Sequence, residues 1–170
     1  MVLTDSDELA RSVWQLADYG QSDKFVHKNI GFNSRLDTIQ AAVLLCKLPY
    51  LRQWTEARRR AARLYQDKLQ DLPVKIAKTA DNTDPVFHLF VVSLEDRYRI
   101  IEGLRNNGVM AQIHYPSVIH LQHCYNFLGY KRGDFPAAEH NATHCLSLPI
   151  YPEIRDEQIE CVVETLSKIM

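Results

Sequence analysis

The chain has 170 residues, enough for one domain or a little more, and a chain of this size can bury roughly 70% of its unfolded surface. Its 46% apolar and 24% charged residues are an ordinary globular composition, and a formal net charge of −1 supplies no general field for nucleic acid or an anionic membrane. No apolar run approaches the ~20 residues of a spanning helix, the acidic start does not resemble a signal peptide, and four cysteines without a C-x-x-C pair fit reduced thiols in a cytoplasmic protein.

In chain order, residues 1–4 read as a strand fragment. Asp5 and Glu8 have capping-box spacing, and Leu9, Val13, Leu16 and Ala17 keep helical period up to a stop at Gly20. Residues 21–30 are polar and aperiodic, a loop with solvated Lys24 and Lys28. The next stretch, Gly31-Phe32-Asn33-Ser34-Arg35-Leu36-Asp37, runs directly into an apolar helix. Gly31 suits a positive φ or a close backbone approach. Asn33 or Ser34 is placed to cap the helix, Arg35 offers a planar fork of donors, and Asp37 falls in the first turn, near the positive end of the helix dipole. Amide, hydroxyl and guanidinium at a helix start suit an anion, although an ordinary capped helix explains the same residues.

Residues 39–48 are apolar on nearly every side, which predicts a helix buried by other protein. Pro49 interrupts it, and residues 50–72 resume as a long helix with Leu51, Trp54, Arg58, Ala61, Tyr65 and Leu69 at three-four spacing. Arg58, Arg59 and Arg60 point about 100° apart. With Arg63, and with Glu56 and Asp67 nearby, they read as a solvated face rather than a nucleic-acid patch. Residues 74–77 predict a short strand, 86–94 a buried strand and 96–107 an amphipathic helix ending before Gly108. A strand at 109–115, closed by Pro116, completes a small α/β layer. A short helix at 120–128, a helix capped by Asp134 with Pro136 in its first turn, an extended 148–152 and a last helix from Arg155 or Asp156 follow.

His120/His123 and His140/His144 have the spacing of metal ligands on one helix face, but no third ligand is placed by spacing, so no metal is expected. Cys46 and Cys161 fall on apolar faces and read as core packing. No phosphate-binding glycine loop or nucleophile elbow occurs. His114-Tyr115-Pro116 stands at a strand end, a common place for functional side chains in α/β proteins, where packing explains the residues equally well.

The stretch Gly-Phe-Asn-Ser-Arg-Leu-Asp-Thr-Ile-Gln-Ala-Ala resembles the Gly-x-Asn-x-Arg-Leu-Asp-x-x-Gln-Ala-Ala signature of the DegT/DnrJ/EryC1/StrS sugar aminotransferases, which use pyridoxal phosphate. Segments around His88, His114, His120, Gly129, Asp134 and Pro149 resemble the same family in the same order. The resemblance implies an α/β fold: the small C-terminal domain of the fold-type I aminotransferase architecture (73–170), preceded by a long connecting helix (50–72) and the last strand and helices of the large cofactor-binding domain (1–49). It implies a homodimer acting on a nucleotide-linked keto sugar with an amino-acid donor, usually glutamate. Asn33 would reach the cofactor phosphate of the neighbouring subunit, and Arg35, His114 and Tyr115 would approach the substrate. His88 matches a motif position, and a core histidine is the reading for it. The family's Schiff-base lysine would lie upstream of Met1. The chain is therefore expected to carry no catalytic residue of its own and to be inactive alone. A non-catalytic assembly module and a regulatory or nucleic-acid-binding protein stay open as alternatives.

Overall fold

The structure, a computed structural model, describes residues 2–170. The chain divides after Pro49 into two compact units.

In the first unit the Ser6 hydroxyl accepts from the Leu9 amide at 3.2 Å and caps α1 (Asp7–Ala17). The cap is therefore Ser6, not Asp5: an extended serine one residue later brings its short side chain onto the third helical N–H. Residues 2–4 form no strand, since nothing pairs with them, and Met1 lies outside the described residues. The expected loop at 21–30 contains a hairpin of β1 (Gln21–Asp23) and β2 (Val26–His27). Its turn is held by the Gln21 side chain, whose oxygen accepts from the Phe25 amide at 3.0 Å, a tertiary contact that no apolar alternation announces.

Residues 31–34 lie antiparallel against the end of α1. The Phe32 amide donates to Leu16 O at 2.7 Å, Tyr19 to Phe32 O at 2.9 Å and Ser34 to Ala17 O at 2.8 Å. This approach explains Gly31, where a Cβ would stand 2.2 Å from the Gly20 nitrogen. Asp37, not Asn33 or Ser34, caps α2 (Thr38–Lys47), its carboxylate accepting from Ile39 N at 2.8 Å. Asn33 and Ser34 lie too far ahead of the first helical amides, on backbone already committed to α1. No residue of α2 is buried: Ile39, Val43, Leu44 and Leu45 are all exposed.

Leu48–Tyr50 form a 3₁₀ turn around Pro49, and α3 (Leu51–Lys68) opens the second unit. An antiparallel sheet in the order β3 (Lys75–Ile76), β4 (Phe90–Ser93), β5 (Cys145–Leu148) carries the core together with α3, α4 (Arg97–Asn106) and α6 (Asp156–Ile169). Tyr65 of α3 stacks on Phe90 at 4.8 Å between centroids and donates its hydroxyl to Pro149 O at 2.9 Å. Burial, with Tyr151 nearby, pushes the Tyr65 pKa up and keeps the hydroxyl a donor. Leu104, Leu146, Ile159 and Leu166 close the core with no exposed surface.

Three expectations fail here. Residues 109–115 make no strand, only a single bridge from Gln112 to Ser147, because the sheet edge is used at one residue pair. β5 ends at Leu148, where the extended run 148–152 begins, since Pro149 and Pro152 lack ladder donors. Asp134 does not cap α5 (Pro136–His144); its carboxylate accepts from Lys131 N at 2.9 Å and Phe135 occupies the cap position. Cys46, Cys161 and His88 are exposed rather than core.

The arginine run is not a solvated face. Arg58 donates to Ile150 O at 3.1 Å, Arg59 to Pro85 O and Asp84 O at 3.1 Å each, and Arg60 to Ile154 O at 3.1 Å and to Asp156.

Gly31→Ala must force apart backbone that passes within 2.2 Å, an overpacking that costs about 1–3 kcal/mol. Hydrogen exchange is expected to accelerate at the amides of residues 16–34, while those of Leu146 and Val92 keep their protection.

Candidate active-site residues

The loop at 31–37 presents two polar side chains whose arrangement follows from its attachment to α1. Asn33 forms an isolated antiparallel bridge with Asp18. Its side-chain oxygen accepts from Arg35 Nε at 3.2 Å, and Arg35 Nη1 lies 3.3 Å from the Asp18 carboxylate and over the Tyr19 ring. With its oxygen engaged, Asn33 keeps its amide N–H groups as donors without a partner among the described residues. Arg35, partly spent on Asp18, is more than half exposed.

His114 and Tyr115 belong to the second unit, and their rings meet edge-on at 5.9 Å. The Gln112–Ser147 bridge sets the backbone just before them, with Ser147 N donating to Gln112 O at 2.7 Å and Gln112 N to Ser147 O at 3.1 Å. The His114 ring nitrogen Nδ1 lies 2.9 Å from Ser147 Oγ, and Cys145 Sγ donates to His114 O at 3.7 Å. The peptide between His114 and Tyr115 is cis. His114 borders two cavities. One, about 550 Å³, is also walled by Met110, Gln112, Ser147, Tyr151 and Gln158. The other, about 1040 Å³, runs beneath Tyr115, Tyr125, Tyr130 and Phe135. Both fall within or near the size range of small-molecule clefts, and the second has the aromatic lining such clefts favour. Asn33 and Arg35 come together in one unit, and His114 and Tyr115 in the other.

A half-buried pair holds the wall of the larger cavity. His120 Nε2 is 3.1 Å from Glu139 Oε1, with both side chains mostly shielded, and Glu139 also accepts from Gly133 N at 2.8 Å. Phe135 covers the His120 ring at 4.8 Å and meets Tyr130 edge-on at 5.1 Å. The Gly133 amide first, then the hydrogen bond from His120, hold the Glu139 carboxyl below the ordinary glutamate range. His140 and His144 stack at 3.9 Å, and no group of three metal-ligating side chains exists among the described residues. Ser147, Gln112 and Glu139 were not singled out by sequence reasoning. Glu139 and Ser147 had a signal only as members of two of the family-like segments, Gly-Asp-Phe-Pro-Ala-Ala-Glu around Asp134 and Leu-Ser-Leu-Pro-Ile-Tyr-Pro around Pro149.

A model of the DegT/DnrJ/EryC1/StrS aminotransferase family matches residues 1–167. The chain belongs to this family. A pleiotropic regulatory protein of Geobacillus stearothermophilus is 38% identical over 172 residues, covering 99% of this chain and 46% of the relative. A dTDP-3-amino-3,4,6-trideoxy-alpha-D-glucose transaminase of Streptomyces venezuelae is 38% identical over 166 residues, covering 97% of this chain and 44% of the relative. The crystal structure of S. venezuelae DesV in complex with ketimine intermediate superposes with a TM-score of 0.90 at 37% identity, covering 98% of this chain and 45% of that one. The chain thus spans somewhat less than half the length of these aminotransferase-family relatives, and its fold is a partial α/β aminotransferase domain. No helix among its described residues is long and apolar enough to cross a membrane.

Because the folded pKa of Glu139 is depressed, its contribution to stability is present above the unfolded glutamate pKa of about 4.3. It is lost as pH falls through the folded value. Urea unfolding at stepped pH is expected to show Glu139→Gln flattening the decline of stability below about pH 4.3, with the difference between the two proteins largest near neutrality.

Proposed function

We propose that this chain is the C-terminal part of a pyridoxal-phosphate-dependent transaminase that moves an amino group from an amino acid, most simply glutamate, to the keto carbon of a nucleotide-linked sugar. Its support is the family match over residues 1–167 taken with one observation: Arg35 occupies the Asn33 oxygen and leaves the amide donors of Asn33 without a partner among the described residues. That donor set suits a phosphate oxygen. Pyridoxal phosphate supplies the electron sink when bound. Asn33 contributes one or two hydrogen bonds to its phosphate across a homodimer interface, and Arg35, His114 and Tyr115 orient the sugar substrate. None of the eight lysines stands in the family's Schiff-base context, so none of them is given that role in this reading. The exposed, unpaired Cys46, Cys124 and Cys161 suit a reducing cytoplasm. A second reading, a non-catalytic assembly or regulatory module, draws on the relative named a pleiotropic regulatory protein.

A charge-assisted hydrogen bond is worth about 1.5–3 kcal/mol, and a 1 mM dissociation constant already requires about 4.1 kcal/mol. The 170-residue chain alone is therefore expected to bind pyridoxal phosphate at millimolar strength or weaker and to give no amino-sugar product from glutamate and a nucleotide keto sugar. Joined to a lysine-bearing upstream half of the family, it is expected to turn over. Asn33→Ala in that joined protein should then weaken cofactor binding roughly 10- to 100-fold. Turnover by the chain alone, with one lysine trapped by borohydride, would overturn the assignment. A folded joined protein that binds cofactor yet never transaminates would favour the second reading.

A further inference from the structure

We propose that Ser147 is a positioning residue: it fixes His114 in the tautomer that carries its proton on Nε2, so that the histidine meets its ligand as a hydrogen-bond donor. The inference rests on the reading above only in taking that ligand to be an oxygen of the nucleotide sugar. Ser147 lies in the middle of β5, 4% exposed, with both backbone groups spent on Gln112. His114 Nδ1, at 2.9 Å, is the only hydrogen-bond partner of its hydroxyl among the described residues. Two proton placements are open to this contact. If His114 donated from Nδ1, the serine O–H would be left without a protein acceptor among the described residues, at the cost of an unmade hydrogen bond. If the serine donates to Nδ1, both atoms are satisfied by one bond and the ring proton must sit on Nε2. The second arrangement leaves no stranded group. A histidine's outward chemistry is set by what its other nitrogen binds.

The geometry around the pair supports a positioning role rather than simple filling. The backbone beside His114 is fixed twice, by the Gln112–Ser147 bridge and by Cys145 Sγ donating to His114 O. The ring is thus the remaining freedom, and Ser147 removes it. Nε2 has no partner among the described residues, while the ring borders both cavities. A neutral N–H there suits a carbonyl, hydroxyl or phosphate oxygen and would not serve as a proton acceptor.

The test is a two-bond proton–nitrogen correlation spectrum of the intact chain labelled on histidine nitrogen, at a pH well above the ordinary histidine value of ~6.5. His114 is identified by the signals lost in His114→Gln. We expect a pyridine-type Nδ1 and a pyrrole-type Nε2 in the native chain. In Ser147→Ala that separation should collapse towards the mixed tautomers of free imidazole, and Ser147→Thr should restore it. A pyrrole-type Nδ1 in the native chain, or an unchanged pattern in a folded Ser147→Ala, would overturn the proposal. The native spectrum needs no substitution, so a variant that fails to fold leaves the test intact. The readout also needs no ligand. The expected tautomer in a protein that never transaminates would refute the functional reading and still support the role of Ser147.

Discussion

The second unit's candidate site hangs from one pair of backbone hydrogen bonds. β5 is paired along its length with β4 on one edge, and on the other its backbone-to-backbone exchange among the described residues is the one between Gln112 and Ser147. Buried backbone groups that lose such partners are costly, so this exchange ties residues 110–115 to the hydrophobic core. Ser147 thereby serves twice, through its backbone for Gln112 and through its hydroxyl for His114. Downstream, 3₁₀ turns at Ile119–Leu121 and His123–Leu128 carry the aromatic wall, and Glu139 closes that wall through His120 and Gly133.

The arginines answer a complementary problem. Segments 84–88 and 149–154 contain Pro85, Pro149 and Pro152 and run outside the sheet, so their carbonyls have no ladder partners. Arg58, Arg59 and Arg60 reach from α3 to those carbonyls, and Tyr65 adds the bond to Pro149 O. Arg97 does the same at the end of α5, donating to Ala142 O at 2.6 Å and Cys145 O at 3.3 Å, where the negative end of the helix dipole favours a cation. A planar fork with five donors suits carbonyls arriving from different directions better than an ammonium would.

Helices with a clear apolar period were legible in the sequence: Ile100 and Leu104 of α4 and Ile159, Val162 and Leu166 of α6 are buried as their spacing requires. So was the close approach at Gly31. What escaped was decided by partners distant in sequence. Val109–Tyr115 has strand composition, yet one bridge was all that the sheet edge accepted. The run Arg58-Arg59-Arg60 looks solvated until the carbonyls 25 to 94 residues away are known. Ser147 carried no signal beyond its place in a family-like segment, because a serine in an apolar strand acquires meaning only when His114 is placed against it. Even the cap of α2, read at Asn33 or Ser34 with Asp37 in the first turn, fell on Asp37, since capping depends on where the first helical amide falls.

If the Gln112–Ser147 exchange is the constraint that carries His114, the amides of these two residues open only when the core does. Native-state hydrogen exchange measured across a urea series tests this directly. The account predicts that the Gln112 and Ser147 amides share the opening free energy and urea dependence of Val92 and Leu146, while amides in 117–130 exchange by smaller openings. Exchange of Gln112 together with 117–130, independent of urea and far ahead of Leu146, would contradict it.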